Sequence, residues 1–541
     1  TTLNNTGTVT NSGTGSGVTL ISAAVDTNVT TVTENSTTSA LTVSGAVTVG
    51  ATNKTFTNSN ASGSALLTVS GGITGTGNVV LNNNSAIASG ITVATTTLNN
   101  TGTVTNSGTG TGDTAISAVI GTNVTGVTEN STTSQLTLSG ANTWTTGLTI
   151  KAGTVLGTSV AANAFGTGTI TIGDSAGGTN AATLLVGTTG LTYTNAIALA
   201  STTTGILTIG NSGTAISVSF SGGVTGTNNL TINSNATTGT ITVLTTAVNN
   251  TGTVTNIGAG SGLTTISAAV GTNVTQVIEN STTSALTVSG AVTVGATGKT
   301  FTNSNASGSS LLTVSGGITG TGNVVLNNNS AIASGITVSG TTLNNTGTVT
   351  NSGTGSGATL VSAVIGALVT NVIENSATSQ LTLSAINLFA GTGLSILSGT
   401  VLVTTNAGAV GTTNITLGNT SGSASATLLV GTALTILRPI IVASTTTGIL
   451  TIGNSGTAIS VSFSGGVTGT NNLTINSNAT TGTITVLTTA VNNTGTVTNI
   501  GAGSGTTTIS AAVGTNVTQV IENSTTSALT VSGAVTVGAT N

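Results

Sequence analysis

The chain has 541 residues, of which only four are Lys or Arg and eight are Asp or Glu, for a net charge of −4. So little positive charge excludes a phosphate-binding surface of any strength, and nucleic acid with it as a partner. His and Cys are absent, which removes Ser-His-Asp chemistry, imidazole metal sites and any disulfide framework.

What remains is rich in Thr, Val, Ile, Asn and Gly, with a single proline, Pro439. Disordered chains are poor in β-branched residues and rich in proline and charge, so this composition predicts strands around an aliphatic core. Thr, Ser, Asn or Gly breaks every apolar run well short of the length that crosses a bilayer as a helix, so no transmembrane segment is predicted.

Taken in chain order, the first phrase, TTLNNTGTVTNSGTGSG from Thr1 to Gly17, returns at Thr341 to Gly357. Short alternating runs follow: Leu41-Thr42-Val43, Val47-Thr48-Val49, Ile91-Thr92-Val93 and Ile170-Thr171-Ile172. Period two puts the aliphatic residues on one face and Thr on the other. Gly, Asn and Ser clusters such as SGTGSG and NSNASGS separate the runs and supply turns. Ser201 to Gly262 recurs without change at Ser444 to Gly505.

Five glutamates punctuate the chain, Glu34, Glu129, Glu279, Glu374 and Glu522, each in the phrase ENS[TA]TS. They divide it into repeat blocks 34–128, 129–278, 279–373 and 374–521, with partial blocks 1–33 and 522–541. Both ends cut across a repeat, which reads as an interior stretch of a longer chain.

Repetition of this kind suits a solenoid, in which each unit buries its apolar face on the next. Blocks of such unequal length do not fit propeller blades, and so few aromatic residues do not fit several sandwich cores. The expected fold is all-β: one continuous parallel β-helix of roughly 21 to 27 coils, each of about 20 to 25 residues, at the ordinary strand spacing.

Leu136 to Gly157, LTLSGANTWTTGLTIKAGTVLG, resembles the passenger-associated strand repeat of bacterial autotransporters. Leu381 to Val403 keeps the same frame, with Phe389 for Trp144 and one extra residue. The resemblance implies a right-handed parallel β-helix displayed outside a bacterial cell. Trp144 and Phe389, at matching positions, are expected to plug a turn rather than form a ligand shelf.

Few residues offer chemistry. The glutamates lie too far apart to form the paired carboxylates of a glycosidase. Gly298-Lys299-Thr300 lacks the earlier glycine of a phosphate loop, and three aspartates are too few for calcium-binding repeats. No catalytic, cofactor or metal site is therefore expected. A structural role is assigned instead to Glu34 with Lys54, Glu129 with Lys151, and Glu279 with Lys299. Separations of 20 to 22 residues would seat each lysine beside its glutamate on the next coil. Leu397 breaks the series after Glu374.

Taken together, the sequence predicts a non-enzymatic, extracellular structural protein forming a bacterial surface rod, stalk, fibre or sheath, with self-association into fibres or lateral bundles. An adhesin or autotransporter spacer that attaches to surface glycans or other cells is the rival reading. A Thr-x-Thr face that orders water, as on ice-binding solenoids, is a more distant one, and sequons such as Asn28-Val-Thr make glycosylation a further expectation.

Overall fold

A computed structural model describes residues 1–94 and 97–539. Among them are 56 short strands and one 3-10 helical turn, Ala407–Val410. The strands are stacked in parallel as a β-solenoid of about 23 turns, within the predicted range. The chain divides into two compact units, Thr1–Ala269 and Val270–Asn541. No helix among the described residues is long and apolar enough to cross a membrane.

In the first unit, Leu41–Val43 pairs with Leu67–Val69, which pairs with Ile91–Val93, then Thr114–Ile116 and Leu136–Leu138. The second unit repeats the series with Leu286–Val288, Leu312–Val314, Ile336–Val338, Thr359–Val361 and Leu381–Leu383. Each strand in these series hands its hydrogen bonds to the coil before and the coil after, so the backbone is satisfied by stacking.

The alternation predicted from the sequence sets the faces. Leu41 and Val43 are buried while Thr42 between them is partly exposed, and the pattern repeats in Leu67–Val69 and Ile91–Val93. Like residues stack on like: Thr42, Thr68 and Thr92 form one outer file, and Leu41, Leu67 and Ile91 one inner file. β-Branched and leucine side chains fill a narrow interior without the volume that aromatic residues would need.

Coil length is less regular than strand pattern. Hydrogen-bonded partners on successive coils are 22, 23, 25 and 28 residues apart at different places. Turns absorb the difference, because surface loops vary in length at little cost.

Where a turn runs directly over the coil beneath, only glycine fits. A Cβ on Gly110 would lie 2.1 Å from the carbonyl oxygen of Ser85, and Gly355 stands in the same relation to Ser330 in the second unit.

Candidate functional site

Half of the twelve charged residues lie inside. Period two already determines this. Val127-Thr128-Glu129 places the glutamate on the valine face, and Lys54-Thr55-Phe56 places the lysine on the phenylalanine face. Glu34, Glu129, Glu279 and Glu374 are all 0% exposed, and Lys54 and Lys299 are 1% and 2% exposed.

Each ENS phrase builds a corner. Glu129 Oε1 accepts from the Ser131 amide at 2.7 Å, and Oε2 accepts from Asn106 Nδ2 on the preceding coil at 2.8 Å. Asn106 Nδ2 also donates to the Ser134 carbonyl, while its Oδ1 accepts from the Thr114 hydroxyl. Ser131 Oγ accepts from the Ser134 amide and donates to the Gly108 carbonyl; Ser134 Oγ donates to the Gly112 carbonyl. Glu, the first Ser and the last Ser of the phrase therefore each tie one coil to the next.

The same set recurs around Glu374 with Asn351, Ser376, Ser379 and Thr359. It recurs around Glu34 with Asn11 and Ser36, and the Ser281 amide donates to Glu279 Oε1 at 2.6 Å. Burial pushes Glu129 and Glu374 up to about 9, against the pull of their hydrogen bonds from Asn and Ser. Burial also raises Glu34, again opposed by Asn11 and Ser36.

The lysines serve the corner at the opposite end of the same strands. Lys54 Nζ donates to the carbonyls of Asp26 and Val29, which flank a turn of the preceding coil; Lys299 Nζ does the same to Gly271 and Val274. Burial lowers Lys299 to about 8 and lowers Lys54 too, with Asp26 opposing the shift at Lys54. On other coils an asparagine or an arginine fills the same role. Asn100 reaches the Gly77 carbonyl and Asn345 that of Gly322, both at 2.8 Å, and Arg438 Nε reaches Gly411 at 2.9 Å. Turn carbonyls that point inward must be met by a donor, and the next coil supplies it.

The expected ion pairs are therefore corrected. Glu34 registers with Asn58, and Glu279 with Asn303, four positions beyond Lys54 and Lys299. The local coil is longer than the 20 residues assumed. Glu129 registers with Ile150, next to Lys151, but a bulge follows and the two side chains leave opposite faces of the sheet. Lys151 instead meets Asp174 at 3.6 Å on the surface, a pair that contributes about 0–1 kcal/mol at most.

Trp144 and Phe389 are sealed in the interior, as expected of turn plugs. Trp144 Nε1 donates to the Gly147 carbonyl at 3.0 Å. Its ring packs on Gly166, and that of Phe389 on Gly411, at positions where a Cβ would collide with the ring. Further along the first unit, Phe165 and Tyr193 lie with ring centroids 4.8 Å apart. The Tyr193 hydroxyl is buried with no hydrogen-bond partner among protein groups. Burial raises its pKa to about 12. Tyr193→Phe is expected to stabilise the first unit by about 1 kcal/mol, read as a rise in its thermal midpoint; a loss of stability would show that the hydroxyl is satisfied.

No group of three or more Asp, Glu, His or Cys side chains is placed to hold a metal among the described residues. The outer surface carries one feature that the sequence reading passed over. Leu368, Ile386, Leu388 and Leu437 are half or more exposed in the second unit, where the first unit's repeat has Asn123, Ala141, Thr143 and Thr194.

No known protein family, curated protein or solved structure matches the chain. The likeness of Leu136 to Gly157 and Leu381 to Val403 to the autotransporter repeat thus rests on those residues alone.

Proposed function

We propose that the chain is a non-enzymatic structural segment of a bacterial surface protein, displayed outside the cell as part of a stalk, fibre or sheath. The observation that carries this reading is the use made of interior charge. Glu34, Glu129, Glu374, Lys54 and Lys299 are each hydrogen-bonded to the preceding coil. Burying a charged residue is costly unless its bonds are met, and here those bonds hold coil to coil.

Near-identical blocks let the number of coils change by duplication without new packing problems. The low charge of the outer surface leaves little repulsion to oppose side-by-side contact. Imaging the native object tests the reading: a stalk, fibre or sheath built from this segment supports it, and a freely diffusing catalyst with turnover on a polysaccharide overturns it. Sedimentation across a concentration series tests self-association, with growing assemblies expected and an unchanging monomer against it.

The exposed apolar residues Leu368, Ile386, Leu388 and Leu437 favour a second reading, in which the segment is the spacer of an adhesin and these residues attach to cells or glycans. Specific retention of the wild-type chain on a glycan array or on cells, lost when the four residues become Asn, Ala, Thr and Thr as in the first unit, would favour it.

A further inference from the structure

The outer file that includes Thr42, Thr68 and Thr92 changes character further along the first unit. Thr137 is followed on successive coils by Leu156, Leu185, Gly210 and Asn233. Ile257 comes next, since its neighbour Asn256 registers with Ile232. Leu156 and Leu185 are partly exposed. A Cβ on Gly210 would lie 3.0 Å from Leu185 Cδ2, so the leucine leans across the glycine. Ile206, four residues before Gly210 on the same coil, is 62% exposed, and Ile257 is 37% exposed. Both line a shallow groove with Thr231 and Thr255.

The second unit builds the same face. Thr382 is followed by Leu402, Leu429, Gly453 and Asn476, and Leu429 leans on Gly453 as Leu185 does on Gly210. Ile449 and Ile500, 59% and 36% exposed, line its groove with Thr474 and Thr498.

Aliphatic side chains that turn outward, where other coils of the file place Thr, make a patch that gains by being covered. No charged residue lines either groove. A partner that covers one must be uncharged there, because a charge brought in would lose its water and find no counter-charge. With twelve charged residues among 541, this chain is such a partner. Size points the same way. Five coils about 4.8 Å apart and five strand residues at about 3.3 Å each give a face of roughly 400 Å². That is half of the roughly 800 Å² per partner that a stable pair buries. One patch therefore holds weakly, and weak contacts add up only between molecules that carry several. A second copy offers an identical patch, able to pair by two-fold symmetry, and two patches let each chain join two neighbours. Granted the self-association proposed above, we infer that the face of Leu156, Leu185, Ile206 and Ile257, with its counterpart in the second unit, is where one copy docks on another.

Sedimentation of the full chain across a concentration series reads the valence. The wild type is expected to grow beyond dimers. Leu156→Thr, Leu185→Thr, Ile206→Thr and Ile257→Thr together leave one patch, and growth is expected to stop at dimers. Adding Leu402→Thr, Leu429→Thr, Ile449→Thr and Ile500→Thr is expected to leave monomers. If this second variant grows as the wild type does, the docking face is overturned while self-association stands. A wild type that stays monomeric, whatever else the patch retains, overturns both.

A second measurement leaves the aliphatic residues in place, so it decides the matter even if those variants do not fold. Thr231→Cys, in the groove, is expected to be alkylated about tenfold more slowly in concentrated than in dilute protein, as the centre of a buried contact should be. Thr171→Cys, which points outward from a different stack of strands, is expected to react at the same rate in both. No slowing at Thr231→Cys in a chain that assembles would overturn the docking face.

Discussion

Gly110→Ala is expected to cost about 4–5 kcal/mol, at the extreme of what one substitution does, and to strip hydrogen-exchange protection from the coils on either side. The new methyl carbon would lie 2.1 Å from the Ser85 carbonyl oxygen and 2.5 Å from two further backbone atoms of the coil below. No rotamer relieves such a clash, because both partners are backbone. The coils must part, and parting breaks the ladder that satisfies them. Gly126 lies inside the same stack, yet a Cβ built there meets nothing nearer than Thr103 Cγ2 at 3.9 Å. Gly126→Ala is expected to change stability by no more than about 0.5 kcal/mol. Equal tolerance at both positions would mean that the turn of one coil does not rest on the coil beneath. A solenoid loses cooperativity locally, so exchange protection reports this more sharply than a single melting temperature.

Trp144→Ala is expected to destabilise the first unit by about 3–5 kcal/mol. The indole fills an interior corner against Gly166, which has no side chain to collapse into the space. Its loss also strands the Gly147 carbonyl that Nε1 now meets. Trp144→Phe should be far milder, since Phe389 occupies the matching corner of the second unit. As the chain has a single tryptophan, fluorescence reads the corner directly: emission should be blue-shifted and shielded from iodide. A quenchable, water-exposed indole would contradict the account of this corner.

Much of the fold was legible because alternation is a local property. Leu41-Thr42-Val43 declares its faces without reference to anything else in the chain, and the structure places Thr42 outside and its neighbours inside. The ENS[TA]TS phrase was legible as punctuation, but its chemistry was misread. Glu34 was assigned to Lys54 by counting residues, and counting fails when turns make one coil 22 residues and another 28. Parity was the better guide. Glu34 stands two residues after buried Val32, and Lys54 two residues before buried Phe56, so both belong inside. Which coil supplies the partner depends on loop lengths, and sequence alone does not fix those. The exposure of Leu368, Ile386, Leu388 and Leu437 was illegible for a related reason: it depends on how the turns close.

The central claim is that successive coils stack in parallel register, and paired spin labels test it most directly. With no native cysteine, Thr42 and Thr68 can be replaced by cysteine and labelled cleanly. They register on adjacent coils, one strand spacing of about 4.8 Å apart. Labels at Thr42 and Thr137 lie along the same outer file but four coils apart, about 19 Å at that spacing. Strong dipolar broadening for the first pair and none for the second is the predicted result. An unbroadened spectrum from Thr42 and Thr68 would contradict the stacked solenoid and everything built on it.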